Sequence, residues 1–170
     1  MRKIGFILAM MAMFTLSAEE VNLFKNGDFS EGTKHWIFPK DVQIVPAPGL
    51  EGKKAVAFTG QKCVVQGVNI DPKCDYELTF MAKGENIASE NKNKGARIII
   101  RGGKQYARGT VNTDGSCMRG TFDWKQGKMI LKGSYFKNEH LLFNLWMDGA
   151  GTCYFTDFKL VKVNTEKKAQ

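Results

Sequence analysis

The chain has 170 residues and a formal charge of +8, from 25 Lys and Arg against 17 Asp and Glu. That length suits one domain and leaves no room for a linker and a second one. The basic residues are scattered rather than gathered into a stripe, which argues against a nucleic-acid reader and fits solubility or loose attraction to acidic polymers and surfaces.

The chain opens with Arg2 and Lys3, followed by an apolar run from Ile4 to Leu16 and the small residues Ser17 and Ala18. A positive start, a run too short to span a bilayer comfortably and a small-residue cleavage point are the parts of an export signal. Residues 1–18 are therefore expected to be a cleaved signal peptide; losing Arg2 and Lys3 takes the formal charge from +8 to +6. No later stretch is apolar enough to cross a membrane, so the mature chain is expected to be secreted, periplasmic or extracellular, with no membrane span.

From residue 19 onward, Gly, Asn and Asp punctuate short runs of alternating apolar residues, the pattern of strands joined by turns. Strands are predicted at 43–45, 55–58, 63–70, 76–83, 96–101, 122–131, 141–147 and 153–163. In the fourth, Tyr76, Leu78, Phe80 and Ala82 share one face and belong to the core, because side chains alternate with a period of two. Residues 84–95 form a polar stretch rich in Asn, Lys and Glu and are predicted to be a solvated loop. The last strand carries apolar residues on both faces, Tyr154, Phe158 and Leu160 on one, Phe155, Val161 and Val163 on the other, so a twist or a change of environment is expected along it. Residues 164–170 read as a charged, frayed tail. Many short strands at this spacing define an all-β chain, a sandwich or a barrel.

Four cysteines, Cys63, Cys74, Cys117 and Cys153, follow the predicted signal. Their spacing contains no C-x-x-C pair, and neither His35 nor His140 lies near one of them, so disulfides are expected rather than zinc. Cys63 and Cys74 sit near opposite ends of one predicted strand, roughly 23 Å apart at about 3.3 Å per residue, and a disulfide needs Cα atoms within about 7 Å. At least one long-range bridge is expected instead, with Cys117 or Cys153 reaching Cys74 where strand ends coincide.

Four segments then fall into an order with a meaning. The mature domain opens with Asn22-Leu23-Phe24-Lys25-Asn26-Gly27-Asp28-Phe29, followed by Gly32 and Trp36. Gln66-Gly67-Val68 leads to Tyr76-Glu77-Leu78-Thr79-Phe80-Met81-Ala82-Lys83, then Thr121-Phe122-Asp123-Trp124-Lys125, then Thr152-Cys153-Tyr154-Phe155-Thr156-Asp157-Phe158-Lys159-Leu160. This series resembles carbohydrate-binding modules of the families 4, 9, 16 and 22 group. The resemblance implies a two-sheet antiparallel β-sandwich, a galactose-binding-like jelly roll, over residues 19–163, with a polysaccharide or glycan as ligand. It also implies a structural calcium ion (Ca2+) held by Asp28 and Asp157, although Ser30 and Thr156 stand where the family pattern has carboxylates.

In such a module the ligand site is a concave sheet face or the loops at one end. For the face, the outward residues are expected to be Arg97 and Arg101 on one strand and Asn144 and Trp146 on another; Tyr106 and Arg108, in a Gly-bounded segment, are loop candidates. A Trp face packs on the C–H side of a sugar ring while guanidinium and amide groups hydrogen-bond its hydroxyls. Glu77, Thr79 and Lys83 extend that surface if their strand belongs to the same sheet. The near-continuous run Leu141-Leu142-Phe143 with Leu145 leaves open whether Trp146 faces out or into the core. Trp36 and Trp124 occupy positions that suit packing.

Catalysis finds no support in the residues. No motif sets two carboxylates across a cleft for a polysaccharide hydrolase or lyase, and His35 and His140 have no triad context. The alternative to sugar binding is an envelope or extracellular interaction module whose sandwich binds a protein partner.

Overall fold

The computed structural model describes residues 20–89, 91 and 94–163. The predicted signal peptide and the predicted tail lie outside the described residues. Nine strands are present among them: β1 (Gln43–Pro46), β2 (Lys54–Thr59), β3 (Lys62–Asn69), β4 (Asp75–Ala88), β5 (Ala96–Gly102), β6 (Gln105–Gly109), β7 (Gly120–Lys132), β8 (His140–Met147) and β9 (Ala150–Lys162). A single helical turn, α1 (Gly133–Phe136), separates β7 from β8. The strands form two antiparallel sheets, a five-stranded one in the order β1-β2-β9-β4-β7 and a four-stranded one in the order β3-β8-β5-β6.

Alternation builds the core. Val64 and Val68 of β3, Ile98 and Ile100 of β5, and Leu141, Phe143, Leu145 and Met147 of β8 turn inward from the smaller sheet. They meet Phe58 of β2, the Tyr76-to-Ala82 set of β4, and Phe155, Phe158 and Leu160 of β9. Phe80 takes so much room that Gly127, beside it on β7, has no alternative: a Cβ there would lie 2.2 Å from the ring.

The opening segment bridges the two sheets, bonded to β9 at Phe158 and Leu160 and to β3 at Gln66. Phe24, Phe29, Trp36 and Phe158 form one aromatic cluster with ring centroids 5.2–6.2 Å apart, a spacing that suits tilted and edge contacts. Polar side chains hold the segment in place. Asn22 accepts from the Phe24 and Leu160 amides and donates to the Phe158 carbonyl, the Trp36 indole donates to the Asn26 carbonyl, and buried Gln66 exchanges two hydrogen bonds with the Lys25 backbone. Gly27 passes so close to Phe158 that a Cβ would lie 2.2 Å from its carbonyl oxygen. The residues of the opening motif are thus packing and capping residues.

Several expectations need correction. β4 continues to Ala88, so the predicted loop at 84–95 begins five residues late; Gly84 and Ile87 still turn inward there, against Phe122 and Gly120 of β7. Gln105–Gly109 is a strand, β6, paired along β5. In β9 the faces exchange at a bulge: Cys153 and Phe155 point inward before it, Phe158 and Leu160 after it, and Asp157 sits between them at φ 54°. Both faces looked apolar because each is inward for half the strand.

No disulfide is formed among the four cysteines. Cys74 precedes β4, whereas Cys153 pairs with Gly84 far along that strand, about 30 Å away at about 3.3 Å per residue. Cys117 lies beside the Met118–Ala96 bridge, and β7 begins opposite Ile87, again at the end of β4 remote from Cys74. The expected long-range bridge to Cys74 is therefore absent because the strand ends do not coincide. Cys153 is fully buried, and burial pushes its thiol pKa upward.

Candidate functional site

The outer face of the four-stranded sheet collects the candidate ligand residues. Register sets them in cross-strand rows. Cys63 of β3, Trp146 of β8 and Arg97 of β5 make the first; Val65, Asn144, Ile99 and Arg108 of β6 make the second; Gly67, Leu142, Arg101 and Tyr106 make the third. Residues opposite one another in an antiparallel pair share a face. All six candidates, Arg97, Arg101, Tyr106, Arg108, Asn144 and Trp146, therefore stand on one surface, the last two on the central strand. Tyr106 and Arg108 are strand residues there, not loop residues. Glu77, Thr79 and Lys83 do not extend it, because β4 belongs to the other sheet.

Trp146 faces outward. Its neighbours Leu145 and Met147 are fully buried while Leu142, in line with it, is 40 % exposed. The indole is half-buried, and its N–H is itself closed off from solvent, with no acceptor at full hydrogen-bonding geometry. It lies near enough to Asp148 to help hold that carboxylate below its usual range. Burial works to raise the Asp148 pKa; the Trp146 N–H and the Arg97 guanidinium outweigh it. Arg97 and Asp148 form a 2.7 Å ion pair with side chains 12 % and 8 % exposed, and Arg97 also donates to the Gly95 carbonyl. Arg97 is thus an anchor at the edge of the Trp146 position.

Asn144 donates both amide hydrogens to main-chain carbonyls, of Ile99 at 3.0 Å and of its own strand's Leu142 at 3.1 Å. Arg101 and Arg108 are exposed, as is Tyr106. Beyond β3, Ile37 exchanges two backbone hydrogen bonds with Val65 and extends the second row with an exposed apolar side chain. Ile37 escapes a reading of the sequence, since it belongs to no strand.

The two expected calcium ligands also meet, where the opening segment lies against β9. Asp28 and Asp157 line one cleft of about 230 Å3 with Ser30, Lys53 and Lys54. Lys53 forms an ion pair with Asp157, and Asp28 accepts from the Ser30 amide and hydroxyl. Burial works to raise the Asp28 pKa, and the Ser30 hydrogen bonds with the Lys53 charge lower it on balance. Calcium takes six to eight oxygen ligands. Among the described residues no group of three or more His, Cys, Asp or Glu side chains is arranged to hold a metal, and the cleft already carries an ammonium. Lys53 supplies the counter-charge to Asp157 in this cleft, and a calcium ion there would need backbone carbonyls beside the two carboxylates. A larger groove of about 830 Å3 beside the β1–β2 connection, lined by Ile44, Pro46 and Leu50, touches none of the ligand candidates.

Solved structures that share this architecture include carbohydrate-binding modules. A family 16 module matches with a TM-score of 0.59 at 22 % identity, over 82 % of this chain and 99 % of that one. A family 61 module solved with β-1,4-galactotriose matches at 0.57 and 18 % identity, over 84 % and 99 %. The CBM22-1 xylan-binding domain from Paenibacillus barcinonensis matches at 0.58 and 15 % identity, over 86 % and 97 %. No family model and no curated protein matches the sequence. At these identities the likeness defines the fold alone: this chain is a two-sheet antiparallel β-sandwich with the architecture those modules share.

Proposed function

We propose that this chain is an exported, non-catalytic carbohydrate-binding module whose polysaccharide or glycan ligand lies across the outer face of the four-stranded sheet. The carrying observation is the convergence on that face of an outward Trp146 ring, exposed Tyr106, Arg101 and Arg108, and exposed Leu142 and Ile37. Flat apolar surface flanked by directional donors is the chemistry a sugar ring requires. The structural neighbours support this reading through the fold they share. They give no support to the envelope-protein alternative. Export rests on the sequence of residues 1–18, and among the described residues no helix is long and apolar enough to cross a membrane.

Affinity electrophoresis of the mature chain through gels containing single polysaccharides tests the proposal. Retardation by at least one polysaccharide, abolished by Trp146→Ala, is expected. Migration unchanged in every gel and on a glycan array, with co-purification of one envelope protein, would replace sugar binding with the protein-partner reading.

A further inference from the structure

The charges of the four-stranded sheet are one-sided. Strands β3, β5, β6 and β8 contain no Asp or Glu, yet they carry Lys62, Arg97, Arg101 and Arg108. Asp148, just past the end of β8, is committed to Arg97, and Lys62 pairs with Asp41 at the sheet edge. Arg101 and Arg108 enter none of the ion pairs among the described residues. Arg101 stands opposite Tyr106, and Arg108 two residues further along β6. This diagonal relation sets the two side-chain origins roughly 7–8 Å apart on one face, within reach of each other for side chains of this length.

A guanidinium only donates, whereas Asn144, its amide hydrogens held by main chain, has its carbonyl oxygen left to accept, and the Tyr106 hydroxyl does both. The exposed charge on this face is all positive, which suits a ligand carrying negative groups. Guanidinium forks match planar or tetrahedral oxyanions with charge-assisted hydrogen bonds, the stronger kind.

Building on the carbohydrate reading, we infer that the ligand is an acidic polysaccharide whose carboxylate or sulfate groups are taken by Arg101 and Arg108, with the sugar rings on Tyr106, Leu142 and Trp146. Charge-assisted hydrogen bonds from the two guanidinium groups to an anion, which a neutral chain cannot form, discriminate acidic from neutral chains.

The test uses affinity electrophoresis with polygalacturonate, the same polymer after carboxyl reduction, dextran sulfate and dextran. Arg101→Gln/Arg108→Gln is compared with Lys132→Gln/Lys159→Gln, which removes the same charge from exposed positions of the five-stranded sheet. Circular dichroism establishes that both variants are folded. Retention by polygalacturonate or by dextran sulfate, at least tenfold weaker for its neutral counterpart and for the arginine variant but unchanged for the lysine variant, is the expected result, and the polymer that retains names the anion. Equal losses in the two variants would overturn the inference by reducing it to net charge. Equal retention by acidic and neutral polymers would also overturn it while leaving carbohydrate binding intact. No retention by any polysaccharide would remove the carbohydrate reading itself.

Discussion

The two sheets present aromatic and charged side chains on both of their outer faces, and they use them in opposite ways. On the five-stranded sheet the Trp124 indole donates to the Pro48 carbonyl at 2.7 Å, so the β1–β2 connection lies over it, and the Tyr154 hydroxyl, half-buried near the same indole, is bonded to Glu85 at 3.2 Å. Lysines there alternate with carboxylates, and Lys83 pairs with Asp123 and Lys128 with Glu77. On the four-stranded sheet Arg101 and Arg108 enter none of the ion pairs among the described residues, and Tyr106 is 65 % exposed. An aromatic on a sheet face does not by itself mark a binding site. Exposed guanidinium groups beside it make that face the candidate, because their donors remain open to a ligand.

The largest effect expected from breaking this contrast falls on Asp148. Asp148→Asn strips a nearly buried Arg97 of its counter-ion and is expected to cost about 3 kcal/mol, whereas Asp123→Asn, at a carboxylate 85 % exposed, should leave the melting temperature unchanged. The Asp148 pKa is lowered in the folded chain, so its contribution is present above the unfolded carboxylate value of about 4 and is lost as pH falls through the folded value. Thermal melts at falling pH should show a steeper loss for the native chain than for Asp148→Asn. Parallel curves would contradict the assignment.

Next come the two tryptophans. Trp146→Ala is expected to weaken polysaccharide binding by about 2 kcal/mol, roughly thirtyfold in Kd, with a smaller stability cost than the roughly 3–5 kcal/mol of a core tryptophan. Trp124→Ala should leave Kd unaltered and lower the melting temperature by freeing the loop at Pro48. Titration calorimetry with melting curves separates the two. Loss of binding in Trp124→Ala with Trp146→Ala unaffected would exchange the roles of the sheets.

The smallest effect concerns the Asp28–Asp157 cleft, where Lys53 supplies the positive charge. Calcium and chelator are both expected to leave the melting temperature of the native chain unchanged. Lys53→Gln should gain on the order of 1 kcal/mol from millimolar calcium, since an ion that binds only the folded state stabilises it. A calcium-dependent rise with Lys53 in place would show that the ammonium is displaced.

Much of this contrast can be read from alternation alone. Tyr76, Leu78, Phe80 and Ala82 are buried as their period requires, and the opening motif identifies the fold because its residues are stitched into β3 and β9. The site was half legible. Leu141 to Leu145 conceal the direction of Trp146, since exposed Leu142 looks like core in a linear chain. Gly103 and Gly109 make β6 look like a loop, although the alternation of Tyr106 and Arg108 between them is a strand signal. Sheet membership was not legible: only pairing separates Arg97 and Arg101 from Glu77 and Lys83. The bulge at Asp157 likewise depends on the partner strands.

The most direct test follows the indole N–H resonances of Trp36, Trp124 and Trp146 in isotope-labelled protein, titrated with oligosaccharides of whichever polysaccharide retards the native chain most. The Trp146 signal alone should shift and saturate with ligand, while Trp124, bonded to Pro48, and Trp36, bonded to Asn26, stay in place. A titration that moves Trp124 and leaves Trp146 still would contradict the account.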